Sequence, residues 1–79
     1  MSSTIEEIQS EISMNIIRLR REKAWTQEFL ANETQYSQAF INQLETGSKT
    51  CNVEQLYKLA SVLDCSIHQI LPDYKLNME

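Results

Sequence analysis

Apolar residues return along most of this chain every three or four positions, the spacing that lays one stripe along an α-helix. Ile5, Ile8, Ile12, Ile16 and Leu19 make the first stripe. Ser3-x-x-Glu6 has the form of a capping box. Together they predict a first helix from about residue 4 to about residue 23, about 30 Å long at the usual rise per residue. Its end carries Arg18, Arg20, Arg21 and Lys23, which suit the negative pole of the helix dipole.

A second helix opens at Thr26, a good N-cap. Trp25 and Leu30 are spaced as a hydrophobic staple around that cap, Leu30 and Ala31 face inward, and the helix stops near Thr34. The turn Gln35-Tyr36 leads to Ser37, another N-cap, and a third helix runs from Gln38 to about Thr46. Gly47 stands where a helix takes a left-handed C-terminal residue. Ile41 and Leu44 turn to the core with Tyr36 and Phe40, and Gln38, Ala39, Asn42 and Gln43 fall on the opposite side. After the loop 48–51, Asn52-x-x-Gln55 opens a fourth helix with the stripe Val53, Leu56, Leu59, Ala60 and Leu63. Ser66-x-x-Gln69 opens a short fifth helix, with Ile67, Ile70 and Leu71 inward. Pro72 ends it, because the residue before a proline is pushed out of the helical region. Gly47 and Pro72 are the only residues of their kinds, and no alternating β-branched run is long enough for a strand. The expected fold class is all-α.

The length of 79 residues allows one domain with a small core. The formal charge of −4 argues against a nucleic-acid partner until its distribution is read. Residues 1–15 carry −3 and residues 52–79 carry −2, but residues 16–51 carry +1, with bases at the end of the first helix and at Lys49. Cys51 and Cys65 with the single His68 do not make a four-ligand zinc set. A disulfide between the two cysteines is conceivable, but two reduced thiols, one buried and one in a loop, are expected of an intracellular chain. No export signal and no membrane-length apolar run is visible, so the expectation is a cytoplasmic protein without a membrane partner. Neither a nucleophile elbow nor an oxyanion loop accompanies Ser37 and His68. The chain is not expected to be an enzyme, and no cofactor, metal or small-molecule ligand is expected.

Two helices joined by a short turn, the second opening on Ser-Gln and polar outside, read as a helix-turn-helix. In that motif the second helix enters the major groove with its N-terminal residues against base edges. Gln38 and Asn42 have amides that can pair with adenine, and Ala39 is small enough to approach a thymine methyl. Gln43 edges the same face. Gln27, at an anion-favouring helix N-terminus, Ser37 and Lys49 are candidate phosphate contacts. Arg21 and Lys23 stand equally as phosphate contacts or as solvated helix-end charges.

The ordered set Leu19-Arg20, Thr26-Gln27, Leu30-Ala31, Ser37-Gln38, Ile41-Asn42-Gln43-Leu44-Glu45, Gly47 and Leu59-Ala60…Leu63-Asp64 resembles the Cro/CI-type (Xre-like) helix-turn-helix domains of phage repressors and related bacterial regulators. It spans residues 16–73. The resemblance implies a five-helix, lambda-repressor-like fold, here with an extended first helix, and a homodimer on a pseudo-palindromic double-stranded DNA operator. It gives Gln27 a phosphate contact and gives Gln38, Ala39, Asn42 and Gln43 the base-reading positions. It also implies a largely buried structural ion pair between Arg20 and Glu45. The chain departs from the pattern at Gln35, where the turn usually has Gly, at Cys51, where the loop usually has Pro, and at Asn42, often Ser. Phe29 stands where the family is usually polar and is a candidate interface residue. The expected division is residues 1–11 as an extension of helix one, 12–73 as the domain and 74–79 as a tail. Ile5 and Ile8 extend the apolar stripe about two turns beyond the domain and are expected to cover either the tail, through Tyr74, Leu76 and Met78, or the same helix of a second subunit. The alternative reading is a protein-interaction module, such as an antitoxin or adaptor, built on the same fold.

Overall fold

The computed structural model describes residues 2–72 and 75–76. Four helices carry it: α1 (Ile5–Glu22), α2 (Gln27–Thr34), α3 (Gln38–Thr46) and α4 (Val53–Val62). Each begins where a side chain answers the free amides of its first turn. Thr26, Ser37 and Asn52 accept from Phe29, Phe40 and Gln55 N–H at 3.0, 3.0 and 2.8 Å. Asn52 and Gln55 complete a capping box.

Three local expectations need correction. The box on α1 is Thr4 with Glu7, one residue later than Ser3 with Glu6. Both pairs satisfy the same spacing, and residues 2 and 3 are held in extended backbone. That backbone is β1 (Ser2–Ser3), which pairs in parallel with β2 (Lys75–Leu76), Ser2 opposite Lys75 and Ser3 opposite Leu76. The chain is all-α apart from this two-residue ladder, where no strand was expected. The fifth helix is a single 3-10 turn, Ile67–Gln69, capped by Ser66 and Gln69, because only a few residues separate that cap from Pro72. Of the tail residues set against Ile5 and Ile8, Tyr74 and Met78 lie outside the described residues.

The core gathers one stripe from each helix. Ile16, Leu30, Ile41, Leu59 and Ile70 are fully buried, with Leu19, Ala31, Leu44, Leu56, Ala60 and Leu63 around them. Trp25, Tyr36, Phe40, Cys51 and Cys65 close its edge, half-buried. Both thiols are free, and burial pushes that of Cys51 up to about 11. The N-terminal part of the α1 stripe is less covered: Ile5 is exposed, and Ile8 and Ile12 border a cleft of about 260 Å³ against Leu44 and the loop to α4.

Polar side chains inside the fold fix how α1 sits. The Ser13 hydroxyl donates to the Leu44 carbonyl at 2.7 Å. The Asn15 amide donates to the Ile70 carbonyl at 2.9 Å. Arg20 bridges Glu45 with Nε–Oε2 at 2.7 Å and Nη2–Oε1 at 3.0 Å, and it also donates to the Trp25 carbonyl at 2.6 Å. Arg20 and Glu45 are each 8% exposed. The bidentate geometry is the strong form of this pair, and the hydrogen bonds to Glu45 hold the guanidinium above its ordinary pKa.

Two expected outcomes follow. Glu45→Ala strands the Arg20 charge inside the fold and lowers the unfolding free energy by about 3–5 kcal/mol, measurable by urea denaturation. Gln35 is left-handed, with φ 64°, so Gln35→Gly relieves a steric cost of about 1 kcal/mol and raises the midpoint in the same experiment.

Candidate nucleic-acid interface

The turn between α2 and α3 is set by its own residues. Thr34 is fully buried, donates its hydroxyl to the Leu30 carbonyl at 2.8 Å and accepts the Tyr36 N–H at 3.3 Å. Gln35 takes the left-handed step, and Ser37 starts α3 at once. Ile41 and Leu44 anchor α3 in the core. The helical period therefore turns Gln38, Ala39 and Asn42 outward, and all three are exposed; Gln43 is half-buried at the edge of the same face.

A chain of hydrogen bonds reaches this face from the interior. Glu45 Oε1, already bonded to Arg20, accepts from Gln27 Nε2 at 3.0 Å. That leaves Gln27 Oε1 facing Asn42 Nδ2, at a long 3.5 Å. Gln27 is thus half-buried, with its amide oriented by the ion pair and one N–H still free. In the sequence Gln27 and Asn42 stand in separate roles, a phosphate contact and a base contact; in the fold they meet. The contacts bridge residues fifteen and eighteen apart in sequence, and no local pattern signals them.

The other candidates divide by position. Ser37 uses its oxygen to cap α3, so its proton remains available to donate. Lys49 is exposed just past α3, where its backbone N–H closes on the Gln43 carbonyl at 3.2 Å. Lys23 lies over the Trp25 ring at 5.4 Å, next to the start of α2. Arg21 is exposed near the end of α1, where it lines a shallow depression with Met14, Ile17, Arg18 and Glu22. One cation had no assigned role from sequence. Lys58 of α4 sits 5.0 Å over the ring of Tyr36 in the turn, and that ring meets Phe40 edge-on at 5.2 Å.

The face offers amides on α3, the N-terminal dipoles of α2 and α3 and a few cations at its border, a combination suited to an anionic polymer with hydrogen-bonding edges. Among the described residues no group of three or more His, Cys, Asp or Glu side chains comes together, and no helix is long and apolar enough to cross a membrane.

Comparison with known proteins agrees with this geometry. The helix-turn-helix family model matches residues 16–70. The chain is 40% identical over 55 residues to the HTH-type transcriptional regulator y4dJ of Sinorhizobium fredii, covering 70% of this chain and 71% of that one. An HTH_3 family transcriptional regulator from Vibrio cholerae superposes with a TM-score of 0.78 at 26% identity, over 82% of this chain but only 36% of that longer one. The restriction–modification controller C.AhdI from Aeromonas hydrophila shares the fold, with a TM-score of 0.76 at 22% identity over 80% of this chain and 96% of that one. Family match, sequence relative and fold together show that the chain belongs to the helix-turn-helix family of Xre-like regulators.

Proposed function

We propose that this protein is a cytoplasmic, sequence-specific regulator of transcription that binds double-stranded DNA through the major groove, as a homodimer on a pseudo-palindromic operator. The observation that carries the reading is the outward row Gln38, Ala39 and Asn42 on a helix locked to the core. Gln38 and Asn42 read base edges, Ala39 admits close approach, and Gln43 borders the site. Gln27, Ser37, Lys49 and Lys23 hold phosphate. Arg21 is left out of that set by its place on the outer side of α1. Residues 12–73 form the DNA-binding unit, and residues 1–11 and 74–79 are additions to it. A homodimer of such units reads half-sites about one helical turn apart, ~10 bp.

The division of roles predicts two kinds of mutant. Gln38→Ala reduces discrimination at one base pair by about 1–3 kcal/mol. Lys49→Ala weakens binding to all sequences alike. Affinities for an operator and its single-base variants, measured by fluorescence anisotropy, separate the two, and identical behaviour of both mutants on every site contradicts the assignment.

The small number of cations makes a second prediction. With two cationic phosphate contacts per subunit, Lys23 and Lys49, log affinity falls against log salt with a slope of about −4 for the dimer. A slope near zero in the same assay contradicts phosphate-anchored binding. That result, together with a chain that stays monomeric in light scattering, favours the protein-interaction reading. The acidic α1 and the net charge of −4 then become the relevant surface.

A further inference from the structure

The outer side of α1 carries a second pattern beside the stripe that enters the core. Glu7, Ser10, Met14, Ile17 and Arg21, at spacings of three, four, three and four, form one seam along this side, with the apolar pair Met14 and Ile17 in its middle and charges at both ends. Ser13, Ile16, Leu19 and Arg20 are the buried residues of α1; Met14 lies about 160° around the helix from Ile16 at 3.6 residues per turn. Glu7, Ser10, Met14 and Arg21 are exposed, Met14 at 55%, and Ile17 is half-buried. Met14 and Ile17 floor a shallow depression walled by Arg18, Arg21 and Glu22.

Charge along this seam is polarised. The N-terminal half of α1 holds Glu6, Glu7 and Glu11, and its C-terminal half holds Arg18 and Arg21 at the surface, with Glu22 bridged to Arg18 and Arg20 buried on Glu45. Glu7 and Arg21 are equidistant from Met14, seven residues to either side. If a second copy of α1 lies antiparallel across a two-fold axis at Met14, each Glu7 meets an Arg21. On the flank of the same pair, Glu11 approaches Arg18, which within its own helix already bridges Glu22 at 3.1 Å. Ile17 then packs beside the small Ser10 of the other copy. A parallel pairing sets Glu7 on Glu7 and Arg21 on Arg21, a like-charge arrangement that specific interfaces avoid. The surface is therefore self-complementary in one orientation, as a two-fold interface requires.

We propose that the outer seam of α1 is a self-association surface whose partner is a second copy of this chain, with the two helices antiparallel and Met14 on the axis. The buried side of α1 bonds to α3 through Ser13 and Arg20, and Ser10 and Met14 of the seam border the C-terminal end of α3 beside Thr46 and Gly47, so the seam is a surface distinct from the outer face of α3 that carries Gln38, Ala39 and Asn42. The contact is additional to any pairing that sets two α3 helices side by side on one operator, and it joins DNA-bound molecules to each other. A single helix pair buries less than the about 1,200 Å² of a standard stable interface, so the association is weak in free solution.

The test is sedimentation velocity of the full chain from tens of micromolar to about one millimolar, with three variants. Among the described residues neither the Met14 nor the Arg21 side chain makes a hydrogen bond, so Met14→Lys and Arg21→Glu keep the fold. The wild type shows a concentration-dependent step that Met14→Lys removes and Arg21→Glu weakens about tenfold or more, since two attractive pairs become repulsive. Glu7→Lys weakens it likewise; circular dichroism reads the cost of losing the Thr4 cap separately. An equimolar mixture of Glu7→Lys and Arg21→Glu restores the step, because each unlike pair then faces its complement. Absence of the step in the wild type, its persistence in Met14→Lys, or a mixture that fails to associate each overturns the proposal. Pairing through another face, as operator reading requires, appears as a separate step that Met14→Lys leaves in place.

Discussion

The Glu45 carboxylate is the point on which the structure turns. It lies in the core layer at the end of α3, where an unpaired charge costs about 3–5 kcal/mol, a large share of the net stability of so small a domain. Arg20 occupies it from α1 with two hydrogen bonds and uses a third to hold the Trp25 carbonyl at the entry to α2. Three helices are thereby fixed by one guanidinium. The oxygen that Arg20 shares is also the one that orients Gln27. The ion pair consequently sets both the angle of α3 and the posture of Gln27 at its border. An apolar replacement of the pair can keep the fold, but nothing then aims Gln27.

This arrangement accounts for how an acidic chain can serve an anionic partner. Its positive charges are few, and one of them, Arg20, is spent inside the fold. What remains at the face is Lys49, Lys23 and the N-terminal ends of α2 and α3, whose amides favour anions without formal charge. The acids of α1 are polarised toward its N-terminal half, and the cap on Thr4 already engages Glu7. The net charge thus describes the whole surface poorly, and the local field at the border of α3 describes it better.

What could be read from the sequence was what is local. The caps Thr26, Ser37, Asn52 and Ser66 and the left-handed Gly47 lie where single residues dictate them. The inward stripes follow from the helical period, except that Val53, expected inward, is exposed in the first turn of α4, before the helix meets the core at Leu56. Ser3 and Thr4 both precede a glutamate by three, so spacing alone does not choose between them, and the cap of α1 is Thr4. Left-handed Ala24 and Asp64 carry no signature in composition. The ladder between residues 2–3 and 75–76 joins opposite ends of the chain, and so do contacts such as Lys58 over Tyr36 that only the packing of α4 creates. The pairing of Arg20 with Glu45, twenty-five residues apart, came from family resemblance and from no pattern in the residues themselves.

The central claim is that the outer face of α3 reads a particular DNA sequence. Selection of purified protein against random-sequence duplex at physiological salt, followed by sequencing, tests it most directly. The account predicts enrichment of a two-fold symmetric motif whose half-sites are about one helical turn apart. Folded protein that enriches no sequence contradicts it.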